Sequence, residues 1–578
     1  MRPTEVLVIG GGPAGLCAAL AASSLGAGVL LSERDGIPGG QLVKQTHKFF
    51  GSEKQYAGDR GIHIGDMLLE KARGDPNIEI WTDSTVLAVY EDGVVTVEHE
   101  EQHTKVKPEC VVIATGAAEK FLAFPGNDLP GIYGAGAVQT LMNVAGVKPA
   151  ERVLMVGAGN IGLIVSYQLK QAGVEVAAVI EGLPTIGGYI VHASKIQRAG
   201  IPVLTRHTIL EAYGAGQVEG AVIAEIDEKW QPVPGTEWKI SCDAICLAVG
   251  LSPLTELAWQ AGCEMAYIHE LSGHVPLVDE YLQTTRPGIY CAGDVSGIEE
   301  ASSAMVEGRL AGLSVAVSLG YGGDDAERLR YDAISELEEL RAGPMGRHIR
   351  IGLEKAAAKR SVNGSDMQNQ QSAVAHTEQG KKQITEALRL SLLKDGIPKK
   401  EDLAAVCPSD ERFAQGPVAI VECFQEIPCD PCVKACSKGA ISMHGKLSPG
   451  EKQPGDKSSG GKSPDTSINA LPVVDAQRCN GCGLCIPHCP GLAIFVVDKS
   501  YNEQFALVRI PFEFVPLPEK GQFVTGLDRA GNELGRFEAV KVASGGVKNM
   551  TYTISLAVPQ ELAMEVRGIR VGGYGNGK

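Results

Sequence analysis

The stretch from Val6 to Gly15 constrains the fold of this chain more than any other. Four apolar residues that suit a buried strand are followed by glycines at Gly10, Gly12 and Gly15. In a strand–turn–helix unit with this spacing, the first glycine makes the turn, the second lets a pyrophosphate approach, and the third lets the helix pack on the strand. A second apolar run ends at Glu33, where such units place an acid that binds a ribose. The pattern predicts an α/β, Rossmann-like domain that binds a dinucleotide.

The same pattern returns over residues 151–181. A short apolar run leads to Gly157, Gly159 and Gly162, and the next run ends at Glu181. A carboxylate at that position suits a free ribose 2′-hydroxyl and repels a 2′-phosphate, which favours NAD(H) over NADP(H). Two alternatives stay open, namely an adenine nucleotide held for structure and a fold that binds no nucleotide. The residues predicted for this second site are Gly157, Gly159, Asn160, Ile161, Gly162 and Glu181.

Two later motifs identify the first dinucleotide. Ala114-Thr115-Gly116 ends one apolar run, and Gly293-Asp294 ends another. Together with the glycine patterns, and in the same order, they resemble the motifs of the two-dinucleotide-binding-domain flavoproteins over about residues 1–320. The resemblance implies that the first site holds FAD and that the second nucleotide domain is inserted in the first.

The resemblance also implies roles for individual residues. Asp294 is expected to hydrogen-bond the ribityl chain of FAD, and a helix over residues 300–313 to point its N-terminus at the flavin ring. The loop Pro38–Leu42 resembles the segment that passes along the flavin. The FAD-binding residues expected on this basis are Gly10, Gly12, Pro13, Ala14, Gly15, Glu33, Arg34, Gly40, Gln41, Ala114, Thr115, Gly116, Gly293 and Asp294.

A redox-active cysteine pair is not expected. Disulfide reductases of this fold carry one in the flavin loop or in the second nucleotide domain, but residues 43–48 contain no cysteine. Cys242 and Cys246 lie within an apolar run, predicted as a strand over 240–249, and suit a protein core. His47 and Lys48 either tune the flavin or belong to a solvated loop.

The cysteines are concentrated elsewhere, with eight of the fifteen between Cys423 and Cys489. Cys479 to Pro490 has the spacing C-x₂-C-x₂-C-x₃-C-P, which is the bacterial ferredoxin run. Zinc can be held by any four cysteines, but the even spacing and the trailing Cys-Pro favour an iron–sulfur cluster.

A second cysteine run lies upstream and departs from the ferredoxin pattern. Its first gap, from Cys423 to Cys429, is too long, and Ser437 replaces the proline. In two-cluster ferredoxins the fourth cysteine of each run binds the other cluster. This rule predicts one [4Fe-4S] cluster on Cys423, Cys429, Cys432 and Cys489, and another on Cys436, Cys479, Cys482 and Cys485. Cys407 is an alternative to Cys423.

Composition excludes several classes of function. The net charge of −16 argues against nucleic acid or anionic lipid as the main partner. No apolar run is long enough to span a bilayer, and the N-terminus enters a strand too early to leave room for a signal peptide. These features predict a cytoplasmic protein.

The chain is long enough for several domains. Residues 325–341 are predicted as a charged, solvated helix, residues 356–382 as a linker poor in apolar groups, and residues 446–468 as a disordered loop. The predicted organisation is an FAD-binding domain over 1–145 and 275–320, an inserted NAD-type domain over 146–274, a helical and partly disordered linker over 321–410, a ferredoxin-like domain over 411–500 and a small β domain over 501–578.

A flavin accepts a hydride and releases electrons singly, so FAD and clusters in one chain suit an electron converter. The sequence offers no catalytic acid–base set. The segment Ala114–Gly136 resembles the α subunits of opine, proline and hydrogen-cyanide-forming amine dehydrogenases. That resemblance implies a hetero-oligomer in which a second flavoprotein subunit carries the substrate site. The alternatives are a self-sufficient NAD(H):ferredoxin-type oxidoreductase, for which ferredoxin or another carrier is the partner, and a non-catalytic assembly module.

Overall fold

A computed structural model of the chain describes residues 1–363, 386–399, 403–404, 406–443 and 467–572. The predicted linker beyond residue 363 and most of the predicted loop over 446–468 lie outside the described residues. The described residues form two compact units. The first comprises residues 1–56, 60–120 and 250–363, and the second comprises residues 57–59, 121–249 and the described residues from 386 to 572.

The first unit is α/β, with elements numbered here along the whole chain. Its strands are β1 (Arg2–Ile9), β2 (Val29–Ser32), β3 (Ile78–Trp81), β4 (Thr85–Val89), β5 (Val95–His99), β6 (Gln102–Ile113), β7 (Ala117–Glu119), β16 (Leu251–Pro253), β17 (Met265–Ile268), β18 (Gly273–Pro276) and β19 (Ile289–Cys291). Its α-helices are α1 (Pro13–Ser24), α2 (Gly61–Arg73), α6 (Glu256–Gln260), α7 (Ala301–Ser318), α8 (Gly323–Arg341) and α9 (Arg347–Asn363).

The main sheet of this unit has the order β3-β2-β1-β6, with β19 also paired to β6. These five strands are parallel, and β5 and β4 extend the sheet from β6 as antiparallel strands. Leu7, Leu30 and Ile113 lie in the core packed against it. Because β2 and β6 flank β1 on opposite sides, the carboxyl end of β1 opens at a topological switch point, where this class of sheet binds ligands.

Helix α7 packs unusually closely on α1 because it carries glycine at two contacts. A Cβ at Gly308 would lie 2.0 Å from the carbonyl oxygen of Ala14, and one at Gly312 would lie 2.1 Å from that of Ala18. The contacts advance along both helices together, so the helices are parallel. Their N-termini therefore lie at the same end, and α7 starts about 9 Å farther out than α1.

The second unit contains more strands than the first. They are β8 (Ile132–Gly134), β9 (Arg152–Val156), β10 (Glu175–Glu181), β11 (Val203–Thr205), β12 (His207–Tyr213), β13 (Gly220–Glu225), β14 (Trp238–Ser241), β15 (Ala244–Leu247), β20 (Val418–Val421), β21 (Ile441–Ser442), β22 (Val473–Val474), β23 (Ile494–Asp498), β24 (Phe505–Phe512), β25 (Phe523–Leu527), β26 (Glu533–Ser544), β27 (Tyr552–Pro559) and β28 (Gly568–Arg570). Its α-helices are α3 (Ala135–Asn143), α4 (Asn160–Gln171), α5 (Ile190–Arg198), α10 (Glu386–Asp395), α11 (Asp410–Ala414) and α12 (Pro431–Ala435).

The inserted nucleotide domain repeats the topology of the first unit. Its parallel sheet has the order β11-β10-β9-β15-β8, beside a three-stranded antiparallel sheet β12-β13-β14. The single strand predicted over 240–249 is wrong, since the chain bends at Asp243 between β14 and β15. The cause is the Asp243 carboxylate, which accepts the backbone N–H groups of Glu151 and Arg152 and so ties the bend to β9.

The cysteine-rich region and the C-terminal tail share one sheet. Its order is β20-β23-β24-β27-β26-β25-β28, so that β23 joins β20 to the strands of the tail. Phe495 and Val497 from β23 lie in the same core as Ile554 from β27. The predicted boundary at residue 500 therefore falls within a continuous sheet, where Val496 pairs with Arg509.

Two helices differ from the sequence interpretation. Helix α9 extends to Asn363 and includes residues that composition assigned to a linker. Helix α8 is not a uniformly solvated helix, because Arg330 and Glu336 are buried. None of the helices in the described part of the chain combines the length and the apolar character that crossing a membrane requires.

Candidate functional site

The loop between β1 and α1 has two packed glycines and one open glycine. A Cβ at Gly10, where φ is +101°, would lie 2.4 Å from the carbonyl oxygen of Ala114. A Cβ at Gly15 would lie 1.8 Å from the carbonyl oxygen of Gly10. At Gly12, by contrast, the nearest atom is the Cα of Gly40 at 3.9 Å. The open position caps the N-terminus of α1, where free N–H groups and the helix dipole favour a phosphate.

Glu33 is held rigidly beside this loop. It is buried at the end of β2, its Oε2 accepts the N–H of Gly11 at 2.7 Å, and its Oε1 accepts the N–H of Asp35 at 2.9 Å. Each carboxylate oxygen has further acceptor capacity, which suits two ribose hydroxyls. The side chain of Arg34 is 71% exposed and pairs with Asp35 at 3.8 Å.

The two remaining flavin motifs border the same loop. The N–H of Gly39 donates to the carbonyl of Gly11, and a Cβ at Gly40 would lie 2.8 Å from the Cα of Gly12. The neighbouring Gln41 side chain is exposed. At the end of β6, Gly116 has φ +75° with no atom within 4 Å of a Cβ. Both Gly12 and Gly116 therefore leave open space where a side chain would otherwise stand.

The Thr115 hydroxyl fixes the end of β6. It donates to the carbonyl of Leu254 at 2.6 Å, while the N–H of Leu254 donates to the carbonyl of Gly116 at 3.0 Å. The Thr115 hydroxyl thus hydrogen-bonds within the protein. Its contribution to the predicted FAD site is to hold the backbone of residues 114–116 in place.

Asp294 lies after β19, at the start of a short 3₁₀ turn. Gly293, with φ +79°, places its Cα against α1, since a Cβ would lie 2.9 Å from the Cβ of Ala14. Burial raises the pKa of the Asp294 carboxyl to about 7, and the carboxyl accepts a long hydrogen bond from the N–H of Glu299 at 3.4 Å. This carboxyl is shielded from water and can accept further hydrogen bonds, which suits the hydroxyl groups of a ribityl chain. The residues of this site thus fit FAD.

A buried ion network behind Asp294 was missed from the sequence. Glu307 in α7 accepts the N–H of Gly293 at 2.8 Å. Arg341 in α8 donates to both oxygens of Glu299, at 2.6 and 3.1 Å, and to Glu307. Burial raises the pKa of Glu307 to about 7, against the opposing effect of Arg341. The signal in the sequence was Glu307, which is the only acidic residue of the helix over 301–318.

We expect the affinity for FAD to rise with pH. A ribityl hydroxyl that donates to the Asp294 carboxylate stabilises its ionised form, so binding lowers the pKa from about 7 and releases a proton. Affinity should therefore increase up to about tenfold per pH unit below pH 7 and level off above it. The measurement is the FAD dissociation constant of apoprotein from about pH 5.5 to about pH 8.

Asp294→Asn is the control for this expectation. It should weaken FAD binding and flatten the profile, leaving only the contribution of Glu307, whose pKa is also raised to about 7. Unchanged affinity and an unchanged profile in Asp294→Asn would contradict the role of Asp294.

The second glycine loop has the same geometry as the first. A Cβ at Gly157 would lie 2.3 Å from the carbonyl oxygen of Ala248, and one at Gly162 would lie 2.0 Å from that of Gly157, whereas Gly159 has no atom within 4 Å. Glu181 accepts the N–H groups of Ala158 and Leu183 at 2.8 and 2.9 Å. The loop can therefore accept a dinucleotide in the same way as the first.

Asn160 and Ile161 at this second loop have different surroundings. The Asn160 side chain accepts the N–H of Tyr189 at 2.7 Å, which closes the loop over 182–189 onto the start of α4. The Ile161 side chain is 37% exposed. Asn160 therefore shapes the site, and Ile161 offers an apolar surface at its edge.

The structure brings the eight clustered cysteines together in two groups. Burial and, to a smaller extent, the charge of Cys489 raise the pKa of the Cys423 thiol to about 12. Burial and the charges of Cys423 and Cys489 also raise the pKa values of Cys429 and Cys432, with a further contribution from Cys432 at Cys429 and from Cys485 at Cys432. Burial also raises the pKa of Cys485 to about 12, with contributions from Cys479, Cys482 and Cys436. These are the two groups that the ferredoxin rule predicts.

Cys407 lies apart from both groups. It is exposed, and the charges that affect its pKa after burial come from Lys499, Asp410, Arg567 and Arg529. The geometry therefore favours Cys423 over Cys407 beside Cys489. The assignment of ligands stays a prediction.

The surroundings of these thiols fit iron–sulfur clusters. Burial raises the pKa of Cys423, Cys429, Cys432 and Cys485, so the thiolates at these positions need a cation, which irons would supply. Backbone N–H groups already point at sulfur: Ala440 to Cys436 at 3.2 Å, and Ala419 and Ala493 to Cys479 and Cys489 at 3.4 Å. Across the described residues no three His, Cys, Asp or Glu side chains converge as around a single metal ion. In a four-iron cluster each thiolate instead binds its own iron.

The other residues considered from the sequence, two cysteines and the pair His47 and Lys48, belong to the packed interior or its edge. Burial raises the pKa of Cys242 to about 11, and Cys242 and Cys246 belong to different core clusters. They are not arranged as a redox pair. Lys48 is 3% exposed, so the solvated-loop alternative is wrong for that residue, and His47 stacks on Phe49 at 5.6 Å.

Relatives resemble about half of the chain. The A subunit of opine oxidase from Agrobacterium tumefaciens (strain Ach5) is 30% identical over 330 residues, covering 54% of this chain and 66% of that protein. The HcnB subunit of hydrogen cyanide synthase from Pseudomonas aeruginosa is 27% identical, covering 54% of this chain and 70% of that protein. The alpha subunit of sarcosine oxidase from Rhizobium meliloti (strain 1021) is 28% identical, covering 56% and 30%. The match thus spans less than two thirds of the opine oxidase and sarcosine oxidase relatives.

A solved structure also resembles the chain. L-proline dehydrogenase from P. horikoshii is 23% identical and covers 57% of this chain and 59% of its own, with a TM-score of 0.45. A TM-score below 0.5 is too low to support an argument about function.

Two family models match separate parts of the chain. Residues 427–493 match a 4Fe-4S dicluster domain, which begins four residues after Cys423. Residues 4–308, more than half of the chain, match the family described as pyridine nucleotide-disulphide oxidoreductase. The sequence-based expectations of an FAD oxidoreductase fold and of two [4Fe-4S] clusters are confirmed at the level of these domains. The chain therefore belongs to the pyridine nucleotide-disulphide oxidoreductase family, as an FAD-dependent oxidoreductase that also carries a 4Fe-4S dicluster domain.

Proposed function

We propose that this chain is an electron-transfer subunit that passes electrons between FAD and two [4Fe-4S] clusters in an amine or amino-acid dehydrogenase complex. The observation that carries the proposal is that eight clustered cysteines, most of them within the 4Fe-4S dicluster match over residues 427–493, occur in the same chain as an FAD-type glycine loop. FAD supplies the change from hydride to single-electron chemistry, and clusters carry one electron at a time. The two kinds of centre are complementary only if electrons pass between them.

The residues of the chain have defined tasks in this proposal. The open Gly12 and the N-terminus of α1 accept the pyrophosphate, and Glu33 orients the adenosine ribose. Asp294 accepts from the ribityl chain and so fixes the position of the flavin ring. The two cysteine groups hold the clusters, and backbone N–H groups at three sulfurs stabilise the thiolates.

The substrate is proposed to bind to a second flavoprotein subunit. The relatives are each named as one component of a larger enzyme, namely opine oxidase, hydrogen cyanide synthase or sarcosine oxidase. By analogy with these relatives, this chain is one subunit of a hetero-oligomer in the proposal. The sequence adds that no acid–base set for amine oxidation accompanies the flavin motifs.

A second candidate function is a self-sufficient NAD(H):ferredoxin-type oxidoreductase. The observation in its favour is the second glycine loop, which is open at Gly159 and has Glu181 in the ribose-binding position. A nicotinamide bound there would supply electrons without a partner subunit.

One experiment separates these functions. The chain is purified anaerobically from its native host, and an amine dehydrogenase assay is run on the complex and on the isolated chain. The proposal predicts a co-purifying second flavoprotein and little turnover of small amines or amino acids by the chain alone. Steady amine turnover by the isolated chain would refute the relay role, and rapid flavin reduction by NADH alone would select the second candidate.

A further inference from the structure

Four charged side chains are buried together next to the cysteines in the second unit. Glu422, which precedes Cys423 in sequence, accepts from Arg529 at 2.7 and 3.1 Å and from Arg567 at 2.7 Å. These three residues are between 1% and 5% exposed. Both arginines donate to the same carboxylate, so the three side chains form a buried ion triad. The carboxylate and both guanidinium groups are therefore charged at neutral pH.

Arg198 supplies a fourth charge from a different part of the chain. It ends helix α5, of which all nine residues are buried. Its guanidinium lies over the ring of Phe495 and donates to the carbonyl of Leu492 at 3.0 Å. Burial lowers the pKa of Arg198 to about 10, with an opposing effect from Glu422, so the side chain stays protonated.

A short run of hydrogen bonds places these charges beside one cysteine group. The N–H of Ala493 donates to Cys489 Sγ at 3.4 Å, and the N–H of Glu422 donates to the carbonyl of Ala493 at 2.8 Å. Arg198 binds the preceding carbonyl, that of Leu492. The charge of Cys489 is also one of the groups that affect Arg198. The four charged side chains therefore lie next to the cysteine group that contains Cys423 and Cys489.

The buried group has an excess of positive charge. Arg529 and Arg567 share the carboxylate of Glu422, and Arg198 adds a third guanidinium without a carboxylate of its own. The additional partner of Arg529, Glu565 at 3.5 Å, is 42% exposed. A buried net charge is costly unless an opposite charge lies nearby. A four-iron cluster bound by four thiolates is a net anion, and becomes more so on reduction. It supplies the missing charge.

The other cysteine group has a different environment. Cys482 is exposed, and Arg509 donates to the carbonyl of Gly481 at 2.7 Å from a partly exposed position. Solvent screens a charge there more than in the interior. A buried arginine also lies beside this group, since Arg412, which is 6% exposed, donates to the carbonyl of Cys479 at 2.5 Å. Each cysteine group therefore has its own arginines, and Arg509 is the one near the surface.

We propose that Arg198, together with Arg529 and Arg567, raises the reduction potential of the cluster held by Cys423, Cys429, Cys432 and Cys489. Net charge, hydrogen bonds to sulfur and solvent exposure set such potentials. Burial alone disfavours the more negative reduced state, and the guanidinium groups offset that effect. This inference rests on the proposed cluster assignment, and it makes helix α5 of the inserted nucleotide domain part of the cluster environment.

The test is an anaerobic redox titration of the whole protein followed by electron paramagnetic resonance. Arg198→Met should lower the potential of one cluster by about 59 mV, equivalent to a tenfold change in its reduction equilibrium, and leave the other unchanged. Arg198→Lys keeps the charge and should shift the potential less. Arg509→Met should shift the other cluster only. A shift of neither cluster in Arg198→Met, or of both equally, overturns the proposal.

The substitution Glu422→Gln should shift the reduction potential in the opposite direction to Arg198→Met. Removing the carboxylate increases the positive excess, so the potential of the same cluster should rise. A purely structural role would not give opposite shifts, and this variant decides the outcome if Arg198→Met loses the cluster. An unchanged or lowered potential in Glu422→Gln overturns the proposal. Absence of both cluster signals from the unsubstituted protein would instead refute the proposed function.

Discussion

Replacing Cys432 with alanine is expected to halve the iron content of the protein. Anaerobically prepared protein should hold about eight irons and eight acid-labile sulfides. Cys432 is buried within the group that includes Cys423, Cys429 and Cys489, and a cluster that lacks one of four thiolates there has no solvent-exposed substitute. Iron should fall to about four per chain. Cys482→Ala should remove the other cluster by the same reasoning.

Cys407→Ala is the matched control. Cys407 is exposed and lies apart from the two groups, so its loss should leave iron unchanged, whereas Cys423→Ala should behave like Cys432→Ala. Iron and sulfide analysis, with electron paramagnetic resonance of the reduced protein, measures both. Loss of iron in Cys407→Ala with retention in Cys423→Ala would reverse the assignment, and zinc in place of iron would defeat it altogether.

Arg341→Met is expected to destabilise the first unit strongly. The substitution leaves Glu299 and Glu307 buried without their shared guanidinium. Breaking a buried ion pair in this way costs about 3–5 kcal/mol. For a unit of this size, the midpoint temperature of FAD release should fall by about 10 °C. The fall should be larger at higher pH, because the Glu307 carboxyl, whose pKa is raised to about 7, then carries its charge.

Arg328→Met on the same helix is the control. Its ion pair with Asp325 is exposed, with side chains 69% and 83% accessible, and such pairs contribute less than about 1 kcal/mol. The midpoint temperature of FAD release in Arg328→Met should be close to that of the unsubstituted protein. Equal effects of the two substitutions would contradict the role assigned to the buried network.

The parts of the fold predicted from sequence are those fixed by local geometry. Gly10 and Gly15 are required because any side chain there would overlap a backbone carbonyl, so their spacing alone specifies the strand–turn–helix unit. The same holds for Gly157 and Gly162. The division of the eight cysteines between two clusters stays a prediction, which rests on the spacing within each run and on the exchange of the fourth ligand.

The features that were missed depend on contacts between distant segments. Arg341 belongs to a charged helix whose composition suggests solvent, and only packing places it beside Glu307. Helix α5 carries Lys195 and Arg198 yet is buried, because two later segments cover it. Ser194 donates to the carbonyl of Gly396, which follows α10, and the N–H of Ile190 donates to the side chain of Gln425, near the first cysteines. Periodicity within one segment contains no information about such partners.

The central claim, that FAD and the clusters exchange electrons within one chain, is tested most directly by flash photolysis. A photochemically generated one-electron donor reduces one centre, and absorbance follows the electron to the other. We expect a first-order electron exchange whose rate constant is independent of protein concentration. The exchange should disappear in the double variant that combines Cys432→Ala and Cys482→Ala. Exchange that scales with protein concentration, or no exchange between flavin and clusters, would contradict it.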